Sequence, residues 1–267
     1  MNLLPIQSNR FEGWKKQFVT SEERFFSAVV LKQLIFRTDE QFDASIASLF
    51  YGPLNRACYP TEHDGRLVSA LTQRKSGDTY LVPVLRDSDP PTKSGPLVLR
   101  RVQKSLALAA VHFCWPWMVP SGAKTIIFID DILGSGTQFN KFLKRWEFEK
   151  RIGVNLIYAP AVAHETGIDA VSKSSPSVKV MTAEKLGVSH GFFSEHVWAR
   201  MEGDILAADA LAWYLNFAAS RKLIPSIGTL GSGDLALTIG FEHGTPNNSL
   251  PLLWYGAGGA WVPLLER

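Results

Sequence analysis

Residues 124–140, KTIIFIDDILGSGTQFN, constrain this chain more than any other stretch. Thr125–Ile129 is a short apolar run of β-branched and aromatic residues, the pattern of a strand buried on both faces of a parallel sheet. Two carboxylates, Asp130 and Asp131, follow at its end. Gly134-Ser135-Gly136-Thr137 then forms a small polar turn. Phe139, Phe142, Leu143 and Trp146 recur at helical spacing, with Lys141, Lys144 and Arg145 between them. The order is strand, acidic pair, glycine turn, helix.

Each part suits an anionic ligand. Open α/β sheets bind ligands beyond the carboxyl ends of their strands. Glycines at 134 and 136 let backbone N–H groups approach an anion, and a helix opening near Gly136 adds unpaired N–H groups. Ser135 and Thr137 add hydroxyls. Adjacent carboxylates can accept from vicinal sugar hydroxyls or touch Mg²⁺. The bland alternative is a strand-turn-helix with solvated aspartates at its mouth. No Gly-Lys-Ser/Thr follows, which excludes a Walker loop, and the turn is too short for a dinucleotide fingerprint.

The string resembles the phosphoribosyl pyrophosphate (PRPP) motif of type I phosphoribosyltransferases. That resemblance implies that Asp130 and Asp131 face the ribose hydroxyls and Mg²⁺ as the catalytic and metal-binding pair. It also implies that Gly134, Ser135, Gly136, Thr137 and Gln138 cradle the 5′-phosphate. Gly134 stands where threonine is common and Gln138 where the loop usually ends in Thr or Ser. This variant looks more like the divergent domains of bacterial conflict and anti-phage systems. The implied activity is glycosyl transfer from PRPP with Mg²⁺. The alternative is an inactive module that senses PRPP or a nucleotide and docks a partner protein.

Tyr80–Leu85 is a second strand candidate, followed by the loop Arg86–Gly95. In type I enzymes such a loop holds pyrophosphate, and the resemblance assigns Arg86, Lys93, Ser94 and Gly95 to it; a proline-stiffened surface loop is the other reading. A helix is expected over about 96–113. Residues 154–159 and 177–181 read as further strands, with His164 and Glu165 at a carboxyl end where they either pair on the surface or touch a ligand. Strands alternating with helices imply βαβ units and a mostly parallel sheet flanked by helices.

Two helical patterns precede any strong strand. Ser21 is the expected cap of one, bearing Phe25, Phe26, Val29, Val30 and Leu34; Asp39 is the expected cap of another, bearing Phe42, Ile46, Leu49 and Phe50, broken at Gly52-Pro53. Residues 1–20 lack periodicity and are expected on the surface, and 59–79, with His63 and Asp64, read as a polar connection without metal spacing. The implied division is an N-terminal helical lobe over 1–75 and an α/β core over 76–267. Residues 204–222 read as a helix and 235–240 as a strand. The tail, with His243, Asn247 and Asn248 in a polar turn and two late tryptophans, resembles the C-terminal end of the conflict-system family. By analogy it forms a hood whose three polar residues meet acceptor or pyrophosphate; a turn that caps the sheet is the alternative.

Composition removes other classes. No apolar run approaches a bilayer span and the N-terminus lacks a signal-peptide core, so a cytoplasmic protein is expected. Cys58 and Cys114 are the only cysteines, too few for a disulfide framework or metal cluster. A net charge of +3 does not by itself indicate nucleic acid. The partners left open are PRPP or a related nucleotide, a protein of a defence operon, nucleic acid, and a second copy of the chain.

Overall fold

The computed structural model describes residues 6–62, 65–75, 77–90, 92–201 and 205–267. His63, Asp64, Pro91 and the start of the expected 204–222 helix lie outside the described residues. The chain separates into two units, residues 1–39 with 187–267, and residues 40–186.

The second unit carries the sheet. Strands β2 (Thr79–Pro83), β3 (Thr125–Leu133), β4 (Asn155–His164) and β5 (Val178–Val180) lie in the order β2-β3-β4-β5, and β6 (Glu184–Leu186) pairs with the far end of β4. Every pairing is parallel. The expected strands at 80–85, 154–159 and 177–181 are present with shifted ends. Helices α3 (Asp39–Tyr51), α4 (Pro53–Cys58), α5 (Arg66–Thr72), α6 (Ser94–Ser105), α7 (Thr137–Trp146) and α8 (Glu165–Ser174) complete it. Phe128 packs edge-on against Phe139, Phe142 and Phe148, so the α7 face of the sheet has an aromatic core.

Two elements differ in extent from the sequence reading. β3 runs to Leu133, because Ile132 and Leu133 continue the ladder with Val162 and Ala163 of an equally long β4. The helix expected over 96–113 begins at Ser94 and stops at Ser105; Ala107 then adopts φ +51°, which no helix continues through.

The division also differs from a lobe of 1–75. Arg101 of α6 pairs with Asp43 of α3 at 3.0 Å, and Ala109 N–H donates to Leu71 O at the end of α5. These bonds tie α3–α5 to the sheet unit.

In the other unit, α1 (Ser8–Lys15) and α2 (Ser21–Lys32) pack with α9 (Glu195–Trp198), α10 (Ala207–Ser220) and α11 (Pro251–Trp254), and β1 (Ile35–Arg37) pairs in parallel with β7 (Ile239–Phe241). Residues 6–20 do not simply wrap the surface. Trp14 and Phe18 are buried among Phe217, Leu252 and Trp261, and Trp14 Nε1 donates to Leu252 O at 3.0 Å. The cap of α2 is Thr20, one residue before the expected Ser21: its hydroxyl accepts from Glu23 N–H while the Glu23 carboxylate accepts from Thr20 N–H. Among the described residues, no helix is long and apolar enough to cross a membrane.

Candidate functional site

Extension of β3 changes the setting of the acidic pair. Asp130 and Asp131 sit within the strand and stay in contact: Asp131 N–H donates to Asp130 Oδ1 at 3.1 Å, and the two carboxyl groups lie within hydrogen-bond reach of each other. Asp130 shares the face of Phe128 and Tyr158. It is 2% exposed, and the Tyr158 hydroxyl donates to its Oδ2 at 2.9 Å. Tyr158 in turn stacks on Phe139 of α7, centroids 3.6 Å apart and planes 6° apart. Burial, and then the neighbouring Asp131 charge, push the Asp130 carboxyl well above the ordinary aspartate range; Lys93 and the Tyr158 hydrogen bond act the other way. Asp131 is half-buried and Asp130 almost wholly buried, so Asp131 is the more open of the two to a ligand.

The glycine turn is built as expected. Gly134 and Gly136 are buried, Ser135 and Gln138 half-buried and Thr137 exposed. Gly136 has φ +80° and precedes the first residue of α7, a conformation that favours glycine. Ser135 Oγ donates to Thr137 Oγ1 at 3.2 Å. A residue unremarked in the sequence holds the turn from behind. A Cβ on Gly167 of α8 would stand 2.1 Å from Gly134 O and 2.9 Å from the Leu133 side chain, so only a glycine admits the backbone there.

The loop after β2 reaches the same carboxyl edge, since Val84 N–H donates to Ile129 O just before Asp130. Lys93 immediately precedes α6; its side chain is 16% exposed and its charge acts on Asp130. Ser94 opens α6, and Gly95 lies so close to β2 that a Cβ would meet Val84 O at 3.1 Å. Arg86 is differently employed. Its Nε and Nη2 and its backbone N–H all bond the Asp89 carboxylate, so the expected grip on a phosphate is not formed. Burial opposes the Asp89 charge, but these bonds and Lys93 outweigh it and hold the carboxyl below its ordinary range.

The remaining assignments belong to other work. His164 is 2% exposed and caps α8, its Nδ1 accepting from Thr166 N–H at 3.2 Å. In the first unit, Asn248 Nδ2 donates to Ser232 O at 2.7 Å, and Asn247 O accepts from Ser232 N–H at 2.7 Å. His243 is stacked on Phe241 and stands 3.6 Å from Asp39. All three residues are thus engaged within their own unit. Among the described residues, no group of three His, Cys, Asp or Glu side chains is placed to hold a metal.

Tyr158 was within reach of sequence reasoning, because a tyrosine inside an apolar strand carries a hydroxyl that needs a buried partner. Gly167 had no such signal: the proximity of Gly134 exists only after folding.

A parallel sheet with an acidic pair and a glycine turn opening a helix defines a phosphoribosyltransferase-like α/β protein. The family model PRTase-CE matches residues 11–267, and the chain belongs to that phosphoribosyltransferase-like family. Among solved structures, the AQ2163 protein from Aquifex aeolicus is similar at 12% identity and a TM-score of 0.34, over 56% of this chain and 84% of that one. No curated protein matches.

Proposed function

We propose that the carboxyl edge of β2 and β3 binds PRPP with Mg²⁺. The observation that carries this reading is the meeting of two loops on adjacent strands, 134–138 with its buried glycines and 93–95 with its lysine, beside a half-buried carboxylate. Backbone N–H groups of the glycine turn and the start of α7 would receive the 5′-phosphate. Lys93 and the N–H groups opening α6 would face the pyrophosphate. Asp131 would hold a ribose hydroxyl or Mg²⁺, whose remaining positions the donor's own oxygens and water can fill. Mg²⁺, when bound, would supply charge neutralisation for departing pyrophosphate. The family resemblance supports a role in a bacterial anti-phage system, in the cytoplasm.

One observation favours a second reading. Asp130 is withdrawn under Tyr158, which suits a site that senses the ligand and passes the signal to a partner protein without transfer chemistry.

The test is the melting temperature with and without PRPP and Mg²⁺, in the wild type and Asp131→Asn. Ligand at ~100 times its dissociation constant adds about 2.7 kcal/mol, several degrees for a chain of this length. A shift in the wild type that Asp131→Asn abolishes supports the site, and pyrophosphate release then separates enzyme from sensor. A folded wild type with no shift at millimolar PRPP overturns both readings.

A further inference from the structure

Trp115-Pro116-Trp117 follows Cys114, whose N–H donates to Leu81 O of β2 at 3.2 Å, and its two indoles are 40% and 53% exposed. They stack on each other, centroids 5.5 Å apart and planes 3° apart. Trp146, at the end of α7, meets Trp117 at 5.6 Å and 41°, so the two planes form a wedge. Its Nε1–H donates to Leu85 O at 2.9 Å, which fixes one wall. Beside these rings is an open cavity of about 530 Å³, walled also by Leu85, Arg86 and Asp89. That volume is within the ~300–1,000 Å³ of ordinary ligand pockets. Leaving about half of two large aromatic side chains in water forgoes burial that the core would otherwise gain.

The polar groups narrow the occupant. Arg86 is bonded to Asp89 and Arg145 to Asp87, so each charged pair at the cavity is neutral. Arg145 also covers Trp146, 4.7 Å from its ring centroid. A single-stranded nucleic acid needs unspent cations along its phosphates as well as stacking rings, and these arginines are spent. Trp14, Trp146, Trp198, Trp254 and Trp261 each donate Nε1–H to a backbone carbonyl. Among the described residues, no hydrogen bond takes the Nε1–H of Trp115 or Trp117. The surface therefore offers parallel aromatic plates, a wedge and two indole donors, with no net charge.

A polyproline II segment matches each of these features. It is uncharged, its rings pack against the exposed faces of aromatic side chains, and its carbonyls, left without internal hydrogen bonds, accept from indole N–H groups. Pro90 and Pro96 in the wall and Pro116 between the indoles stiffen the receiving surface. We propose that this tryptophan cavity docks a proline-rich segment of a partner protein. The proposal does not rest on PRPP binding. It would, however, place the partner against the first residues of the 86–95 loop, whose other end carries Lys93.

The test uses the full chain and fluorescein-labelled decaproline, with a labelled Gly-Ser peptide of equal length and a labelled oligodeoxythymidine as the other arms. Fluorescence anisotropy is read at low and high salt for the wild type, Trp115→Ala and Trp117→Ala. Saturable binding of decaproline alone, unchanged by salt and weakened at least ~10-fold by Trp117→Ala, is expected. Unlabelled decaproline should also shift the intrinsic tryptophan emission of the wild type, a readout that needs no variant. No decaproline binding at millimolar concentration, equal binding of the Gly-Ser peptide, or full affinity in both folded variants overturns the proposal. Salt-sensitive binding of the oligonucleotide in place of decaproline assigns the surface to nucleic acid and overturns it too.

Discussion

Replacing Asp130 by asparagine should make the protein less sensitive to rising pH. The Asp130 carboxyl is buried and its pKa is raised, first by burial and then by Asp131. Below about pH 4 it is protonated in both the folded and the unfolded chain, and Asp130→Asn exchanges one neutral group for another. The carbonyl oxygen of the new amide can still accept from Tyr158, but its nitrogen cannot accept the Asp131 N–H that bonds Asp130 Oδ1, so the variant carries a pH-independent loss of about 1–3 kcal/mol. Above pH 4 the unfolded carboxyl ionises while the folded one stays protonated. The folded state then binds one more proton than the unfolded state, and each pH unit removes about 1.4 kcal/mol of wild-type stability. This loss continues until pH passes the folded pKa. Asparagine has no proton to lose, so stability of Asp130→Asn minus that of the wild type should climb by ~1.4 kcal/mol per pH unit from about pH 4 and then level off. Urea unfolding of both proteins at half-unit pH steps measures the difference directly. A difference that stays flat from about pH 4 to 9 would refute a buried, neutral Asp130.

Gly167→Ala should lower the melting temperature by several degrees, because its Cβ would collide with Gly134 O and Leu133, a clash costing ~1–3 kcal/mol. Gly122→Ala, with open space around its Cβ, is the control, and equal melting temperatures for the two variants would contradict the packing described. Burial raises the Cys58 and Cys114 thiols to about 11 each. At pH 8 roughly one thiol in a thousand is then ionised, so a disulfide reagent should react slowly with the native protein, about tenfold faster per pH unit, and quickly once urea unfolds it. Rapid reaction of the native protein at neutral pH would contradict the burial of these thiols.

The strand-turn-helix at the centre of the chain was legible because its signals are local. A run of β-branched residues, two glycines flanking a serine and the periodicity of Phe139, Phe142 and Leu143 each act within a few residues, and all three agree with the structure. The ends of β3 and α6 were not. β3 continues through two aspartates only because β4 supplies Val162 and Ala163 as partners, and nothing near Asp130 reports the length of β4. The 96–113 reading failed because apolar residues at 106, 108 and 111 imitate a helical stripe, while the break comes from a single backbone angle at Ala107. Trp14 was missed for a related reason: α1 has no apolar stripe, and its one buried indole finds its hydrogen-bond partner 238 residues away. At the site, residue types were readable and their allegiances were not. Arg86 and Lys93 look alike as phosphate ligands in sequence. Asp89 takes three hydrogen bonds from Arg86 and leaves Lys93 with a single 3.9 Å approach.

The link from Asp130 through Tyr158 to Phe139 joins two parts of the site that the sequence presents separately. Phe139 is the third residue of α7, the helix whose first N–H groups would receive a phosphate. Moving that helix end would disturb the Tyr158 stack and, with it, the hydrogen bond that holds Asp130. On the proposed reading, a bound donor would add Mg²⁺ near Asp131, and a cation there weakens the charge repulsion that helps keep Asp130 protonated. Ligand binding and ionisation of Asp130 would then favour each other, which predicts proton release on binding. Calorimetric titration of PRPP with Mg²⁺ in two buffers of different ionisation enthalpy detects it as a buffer-dependent heat. Asp130→Asn should lose that dependence while still binding. A buffer-dependent heat of the same size in Asp130→Asn would assign the proton to another group and break the proposed link between the acid and the loop.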